Sequence, residues 1–244
     1  MPTTDLTIPT PDGPADGFAA FPEGGGQHPG VLMYPDAFGI RPVIRAMAEE
    51  LAAHGYYVLV PNYFFRHGAT PLFDLPDFIG GEARAGVFEQ VMPVLRAHTR
   101  EQALSDADAY LAFLADRAEV APGPVAVTGY CFGGLLAVRA AASRPDRVAA
   151  VGAFHAPVAA DGPEQFERLS AEACFGHAAT DVTPETLADL NRALDAAGVT
   201  HTSAIYPGTV HGFTMADTDA FDAGALKRHW EELLTLLQRT LPQG

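Results

Sequence analysis

The sequence predicts an α/β protein in which helices cover both faces of a mostly parallel central sheet. Short apolar runs alternate with helical patterns along most of the chain, which is typical of repeated β-α-β units. One run, 124–128, passes through Gly129-Tyr130-Cys131-Phe132-Gly133 directly into a helical pattern. The 244 residues, 48% hydrophobic and 18% charged, are enough for one large core. We find no repeat or linker, so we expect a single domain over residues 1–244.

The individual elements are predicted from apolar periodicity and from turn residues. Two edge strands open the chain around the turn at Pro11-Asp12-Gly13, and the first helix ends before Gly55. The predicted strands are 5–10, 17–22, 30–34, 56–61, 124–128, 148–154, 171–175 and 200–206, and the predicted helices are 41–54, 101–118, 132–143, 184–196 and 223–241.

Residues 62–100 lack a clear period. Pro71, Pro76 and the pair Gly80-Gly81 are scattered among aromatic and charged residues in this stretch. A segment this long without clear periodicity is typical of a cap over a functional site or of a mobile region. We expect one of the two.

Composition excludes several classes of function. The net charge of −15 argues against nucleic acid and anionic membranes as partners, because both are bound mainly by Lys and Arg. Two cysteines form no disulfide framework, and no zinc-ligand spacing is present, so we expect no metal. Residues 1–13 do not resemble a secretion signal, and no run reaches the roughly 18 apolar residues of a membrane span. We expect a cytoplasmic monomer or small homo-oligomer.

Cys131 stands where a nucleophile would be expected. A strand that turns into a helix within one residue strains the backbone at the apex, so small residues are needed two positions before and after it. Gly129 and Gly133 occupy those positions. The apex side chain then projects above the carboxyl edge of the sheet, beside the first amides of the helix. The alternative is an inert, buried cysteine in a turn.

A thiol at this place needs a base and a group that orients the base, both from loops at the same sheet edge. Asp181 follows a predicted buried strand, and His211 follows the last predicted strand between Gly208 and Gly212. The order nucleophile, acid, histidine is that of the α/β-hydrolase fold. His155 and His177 also follow buried strands and compete with His211, while Asp161 is the alternative acid.

The loop after the third strand, Tyr34-Pro35-Asp36-Ala37-Phe38-Gly39, is expected to complete an oxyanion hole. The amides of Ala37 and Phe132 are its candidate donors. Asp36 would lie near the thiol and either hold its proton or steer the substrate, unless it is simply a solvated turn residue. Aromatic residues near the predicted mouth favour an apolar pocket, although each alone could be core: Phe38, Tyr63, Phe64, Phe65, Phe132 and Phe213.

On these motifs the chain, over residues 5–241, resembles the dienelactone hydrolase family. The matching stretches are G-Y-C-x-G-G at 129–134, the acid followed by x-F-G at 36–39, the Asp after the penultimate strand and G-x-x-H-G-F at 208–213. The resemblance implies a Cys131-His211-Asp181 triad that hydrolyses small-molecule lactones or esters through a thioacyl intermediate, without metal or cofactor. It also implies a carboxylate that keeps the thiol protonated until substrate binds, and Asp36 matches that carboxylate.

Two departures from the family pattern bear on the substrate. Family members that cleave dienelactone typically have Glu where this chain has Asp36, and an arginine shortly after the triad histidine, where this chain has Met215 and no cation. Arg84 is the candidate for the other substrate-binding arginine. We therefore expect a neutral lactone or ester. The alternative functions are a non-catalytic or redox-sensing module on the same fold and an acyltransferase.

Overall fold

The computed structural model describes residues 1–241. Its strands are β1 (Thr3–Thr10), β2 (Gly13–Ala20), β3 (Gly30–Tyr34), β4 (Tyr57–Pro61), β5 (Val125–Tyr130), β6 (Val148–Phe154), β7 (Glu172–Ala178) and β8 (His201–Tyr206). Its α-helices are α1 (Pro42–Ala53), α2 (Gly81–Ala97), α3 (Arg100–Ala115), α4 (Phe132–Ser143), α5 (Pro184–Ala196) and α6 (Ala223–Thr240).

The strands form one eight-stranded sheet in the order β1-β2-β4-β3-β5-β6-β7-β8. β2 pairs antiparallel with β1 and with β4, whereas all pairs from β4 to β8 are parallel. The carboxyl ends of β3, β5, β6, β7 and β8 therefore meet at one edge, and the loops that follow them carry the predicted site residues. The predicted fold class is confirmed.

The core lies in two layers, one on each face of the sheet. Alternate residues of β3 point to opposite layers, as the two-residue period of a strand requires. Val31 and Met33 pack in the layer that includes α1 and α6, whereas Leu32 and Tyr34 pack in the layer that includes α2, α3, α4 and α5. Each layer is continuous, and helices cover both faces as predicted.

Helix α2 was not predicted. It lies inside the 62–100 segment, and its sequence shows little periodicity because only Val87 and Val91 are buried. Gly86 and Pro93, both poor helix formers, fall inside it. The other predicted elements are all present, with boundaries that differ by a few residues. Over residues 1–241, every helix is too short or too polar to cross a bilayer.

The start of α2 is attached to the loop that follows β8. The backbone N–H of Ile79 donates to the carbonyl oxygen of Asp217 at 2.8 Å, and Arg84 forms an ion pair with Asp219. The start of α2 is therefore held by the loop that contains His211.

Candidate active site

Cys131 occupies the turn between β5 and α4 in a strained backbone conformation. Its φ is 54° and its ψ is −123°, a combination of backbone angles that residues other than glycine rarely adopt. The turn is held by two hydrogen bonds: the Cys131 N–H donates to the Phe154 carbonyl at 3.0 Å, and the Gly134 N–H donates to the Cys131 carbonyl at 3.1 Å. A thiol at this apex is presented at the carboxyl edge of the sheet.

Three glycines make room for this turn. A Cβ atom on Gly129 would lie 2.2 Å from the Gly133 carbonyl oxygen, and one on Gly133 would lie 2.1 Å from the Pro35 carbonyl oxygen. A Cβ atom on Gly134 would lie 2.4 Å from the Cβ atom of Ala156. The close approach of α4 to β5 and to the loop after β3 therefore depends on the absence of side chains.

His211 and Asp181 form a hydrogen-bonded pair beside Cys131. The Nδ1–H of His211 donates to Asp181 Oδ2 at 2.8 Å, and the His211 backbone N–H donates to Thr180 Oγ1 at 3.1 Å. Burial lowers the pKa of His211, but hydrogen bonds to Asp181 and Cys131 and their charges outweigh it and raise that pKa from 6.5 to about 10. The imidazole therefore holds a proton readily while it faces the thiol.

The two competing histidines lie at the same edge but are occupied elsewhere. His155 is fully buried, its Nε2 bonds Thr214 Oγ1 at 2.8 Å, and its ring packs edge-on against His211 with 5.2 Å between centroids. His177 bonds Ser203 Oγ through Nε2 at 3.0 Å. Burial lowers the pKa of both, that of His177 to about 4, so both rings stay neutral.

Asp161 and Cys174 are also engaged away from this chemistry. Asp161 accepts two hydrogen bonds from Arg139, at 2.7 and 2.8 Å. Cys174 is 1% exposed in the core, where burial raises the pKa of its thiol to about 11. A thiol with so high a pKa is a poor nucleophile at neutral pH. The placement of both residues favours Asp181 as the acid and Cys131 as the reactive cysteine.

Asp36 is part of a buried ion cluster that was not predicted. Arg41 donates to Asp36 Oδ1 and Oδ2 at 2.6 and 2.9 Å, and to Asp217 Oδ2 and Oδ1 at 2.5 and 3.1 Å. The Phe38 N–H also donates to Asp36 Oδ1, and the Tyr63 hydroxyl donates to the Asp36 carbonyl oxygen at 2.8 Å. Both oxygens of Asp36 therefore have partners, and the loop after β3 is fixed on two sides.

One signal for Arg41 was present in the sequence. It immediately precedes Pro42, the first residue of α1, where the helix dipole disfavours a positive charge. A buried cation at such a place requires carboxylate partners. Asp36 lies five positions before it, but Asp217 is 176 positions away and no local pattern connects the two.

Cys131 and His211 lie between a narrow cavity of about 100 Å³ and an open groove of about 730 Å³. The predicted residues at the cavity are Asp36, Ala37, Phe38 and Arg84, with Met215 also in its wall. The groove runs on the other side, past Phe132 and Asp181. A substrate carbonyl at the thiol would have one substituent in each space.

Four of the six aromatic residues predicted near the mouth line neither the cavity nor the groove: Tyr63, Phe64, Phe65 and Phe213. Tyr63 and Phe213 are both buried; Tyr63 packs on Phe132, and Phe213 packs on His155 with 5.2 Å between ring centroids. They support residues of the site from the core. Within residues 1–241, no group of three or more His, Cys, Asp or Glu side chains is arranged to hold a metal ion.

A known family and known proteins resemble this chain. The model of the dienelactone hydrolase family matches residues 15–241. A Synechocystis sp. protein with the provisional name carboxymethylenebutenolidase is 28% identical, over 98% of this chain and 97% of its own. The carboxymethylenebutenolidase of a Pseudomonas species is 32% identical over 48% of this chain and 46% of its own.

Solved structures share the fold. A dienelactone hydrolase-like promiscuous phosphotriesterase from metagenomic libraries superposes with a TM-score of 0.78 at 24% identity, over 98% of both chains. The resemblance to the family and the predicted enzyme class are therefore confirmed. The chain belongs to the dienelactone hydrolase family and is a hydrolase of carboxylic esters.

Proposed function

We propose that this protein hydrolyses lactones or activated esters of small molecules through a thioacyl intermediate on Cys131. One observation carries the proposal: a strained apical cysteine shares a cavity with a histidine that is hydrogen-bonded to an aspartate. Nucleophile, base and orienting acid thus have distinct occupants, which is the arrangement that covalent acyl transfer needs.

In the first half of the reaction, His211 takes the proton of the Cys131 thiol as the sulfur attacks the ester carbonyl. Asp181 accepts from Nδ1, so Nε2 is the nitrogen that receives the proton. Asp181 and the thiolate left on Cys131, whose hydrogen bonds and charges raise the pKa of His211, stabilise the imidazolium that this transfer forms. His211 then gives the proton to the leaving alkoxide oxygen, the C–O bond breaks and the thioester remains.

In the second half, water replaces the thiol as nucleophile. His211 takes a proton from the water as its oxygen attacks the thioester carbonyl. The C–S bond breaks, the acid leaves, and the proton returns to the sulfur or remains on His211. In both halves protons move only between His211, the sulfur and the oxygens of substrate or water, so neither half needs an oxidant or a reductant.

The oxyanion of both halves is assigned to the amides of Phe132 and Ala37. Phe132 begins α4, where backbone N–H groups have no partner within the helix. Ala37 lies in the loop that Arg41 and Tyr63 hold in place through Asp36. Both amides therefore belong to backbone that is fixed before substrate binds.

The chemistry of sulfur limits the substrate. A thiolate is a better leaving group than an alkoxide, so the tetrahedral intermediate tends to expel the sulfur unless the substrate oxygen is activated. Enol esters, aryl esters and strained lactones meet this condition. The name carboxymethylenebutenolidase, given to relatives, denotes an enol lactone that also carries a carboxylate. We extend the enol lactone, without the carboxylate, to this chain.

We also propose that residues 1–241 act as one domain in which α2 caps the cavity. All described strands belong to a single sheet, and Arg84 and Phe88 of α2 line the cavity.

The test is mass spectrometry of the protein after rapid mixing with 4-nitrophenyl acetate. We expect an acyl adduct on the peptide that contains Cys131. Cys131→Ser and Cys131→Ala should lose turnover, whereas the matched variant Cys174→Ser should keep both adduct and turnover. Turnover that persists in Cys131→Ala, or an adduct on Cys174 alone, would refute the mechanism. Thiol reactivity without turnover of any lactone or aryl ester would instead favour a sensing role.

A further inference from the structure

The cavity beside Cys131 is mostly apolar, and its wall has one guanidinium in addition to the imidazole of His211. Phe38, Phe88, Leu95 and Met215 form much of the lining, and Arg84 is the guanidinium that reaches it. Arg84 donates through Nη2 to Asp219 Oδ1. The cation is therefore already paired before any substrate enters.

Backbone contacts hold the two partners together. Asp219 follows the segment that bridges to Ile79, and the Asp219 N–H donates to the Ile79 carbonyl at 3.4 Å. Arg84 lies five residues after Ile79, in the first turn of α2, and its backbone N–H donates to the Gly80 carbonyl. Because the backbones are joined, little additional ordering is needed to keep the charges paired.

The remaining charges around the cavity do not favour an anion. The buried cluster near Cys131 contains one guanidinium, Arg41, and two carboxylates, Asp36 and Asp217. With the Arg84–Asp219 and His211–Asp181 pairs included, carboxylates outnumber cations by one. A carboxylate that entered the cavity would share the charge of Arg84 with Asp219 and would be only partly neutralised, and a buried carboxylate without a full counter-charge is costly.

We propose that Asp219 determines specificity: by pairing with Arg84 it restricts the cavity to uncharged acyl or ring groups. This inference rests on the proposed function, because the cavity is taken as the place where part of the substrate lies. Its substrates are then neutral esters or lactones with a small substituent, as the volume of about 100 Å³ requires. Removal of the Asp219 charge frees the guanidinium of Arg84 to bind the carboxylate of a substrate.

The first test does not depend on turnover. Iodoacetamide and iodoacetate alkylate the same sulfur and have nearly the same shape, but only iodoacetate carries a charge. The rate ratio of iodoacetate to iodoacetamide at Cys131, read by peptide mass spectrometry, therefore reports the charge that the cavity presents. We expect Asp219→Asn to raise this ratio about fivefold, as the loss of one screened charge beside the cavity wall would do.

A matched control exists on α3. Asp108 pairs with Arg144 outside the cavity, and its side chain is 40% exposed against 43% for Asp219. Asp108→Asn changes the net charge by the same amount and should leave the ratio unchanged. Arg84→Met combined with Asp219→Asn should remove the gain, since the proposal requires the freed guanidinium.

The second test uses turnover of 4-nitrophenyl pentanoate and of the anionic mono-4-nitrophenyl glutarate, each corrected with Cys131→Ala. We expect Asp219→Asn to raise kcat/KM for the glutarate ester about fivefold relative to the pentanoate ester. Equal ratios in wild type and Asp219→Asn in both experiments overturn the role of Asp219. A gain that survives in the double variant overturns it as well. Turnover that is independent of Cys131 refutes the proposed function instead, while the alkylation ratio still decides the inference.

Discussion

Gly133→Ala is predicted to give a protein that still folds and keeps a reactive thiol but loses its hydrolytic activity. The added methyl group would lie 2.1 Å from the Pro35 carbonyl oxygen and 2.7 Å from the Tyr34 carbonyl oxygen. Ordinary contact begins at 3.4 Å, so α4 and the loop after β3 must separate by about 1.3 Å. Both obstacles are backbone atoms, and neither can turn away as a side chain would.

The expected cost follows from that separation. Overpacking against backbone should lower the free energy of unfolding by about 3 kcal/mol. Activity should fall more steeply, because the movement separates the amides of Phe132 and Ala37 on the two sides of the oxyanion. A misplacement of about 1 Å or the loss of one oxyanion donor each lowers kcat by roughly 10²-fold or more.

The assay combines urea unfolding with kcat for 4-nitrophenyl acetate, and with iodoacetamide alkylation of Cys131. Alkylation needs the thiol but no oxyanion hole, so it should persist in folded Gly133→Ala while hydrolysis is lost. The control is Gly86→Ala, in the interior of α2 with no atom within 4 Å of its Cβ atom. This variant should have a free energy of unfolding about 0.5–1 kcal/mol higher than wild type and should keep full activity.

The reasoning is refuted by a Gly133→Ala protein whose unfolding free energy stays within about 1 kcal/mol of wild type. It is equally refuted if kcat stays within about threefold. Loss of alkylation together with hydrolysis in a folded protein would show that the methyl group moves the thiol rather than the amides.

Three further predictions concern the charged groups. Arg41→Met should lower the free energy of unfolding by about 3–5 kcal/mol, because it leaves Asp36 and Asp217 without their partner. Urea unfolding measures this loss, and an unchanged midpoint would contradict the role of the ion cluster in stability. Asp181→Asn should lower kcat by about 10³–10⁴-fold in a folded protein, since the base loses its orientation; a steady-state assay that finds less than tenfold would contradict it. The folded pKa of His211, about 10, lies above its ordinary 6.5, so its stabilising contribution is complete below pH 6.5 and is lost as the pH rises towards 10. Thermal unfolding of wild type and His211→Gln should therefore differ most on the acid side of this window, and a difference that grows with pH would show the opposite sign.

The features that sequence predicted well have local causes. The elbow depends on small residues two positions on either side of Cys131, and this spacing can be read directly. Strands β3 and β6 are short apolar runs whose bounds agree with the prediction. Helix α5 has its start marked by the capping box at Thr183 and by Pro184, and it too agrees.

The features that were missed depend on distant partners. Helix α2 is stabilised at its first turn by the loop after β8, and it carries too narrow an apolar stripe to be recognised alone. The partners of Arg41 and Arg84 include Asp217 and Asp219, which are 176 and 135 positions away. A single sequence contains no signal for such pairs, although they decide which charges the cavity presents.

The backbone bridge between Ile79 and the loop after β8 has a consequence for engineering. Helix α2 carries cavity-lining residues and attaches at its start to that loop. Consider a chimaera in which residues 79–97 are replaced by those of a relative in order to transfer its substrate preference. The new helix would then have to pair with a loop after β8 whose sequence was not selected for it. Residues 79–97 and 215–219, although distant in the sequence, should therefore be exchanged together.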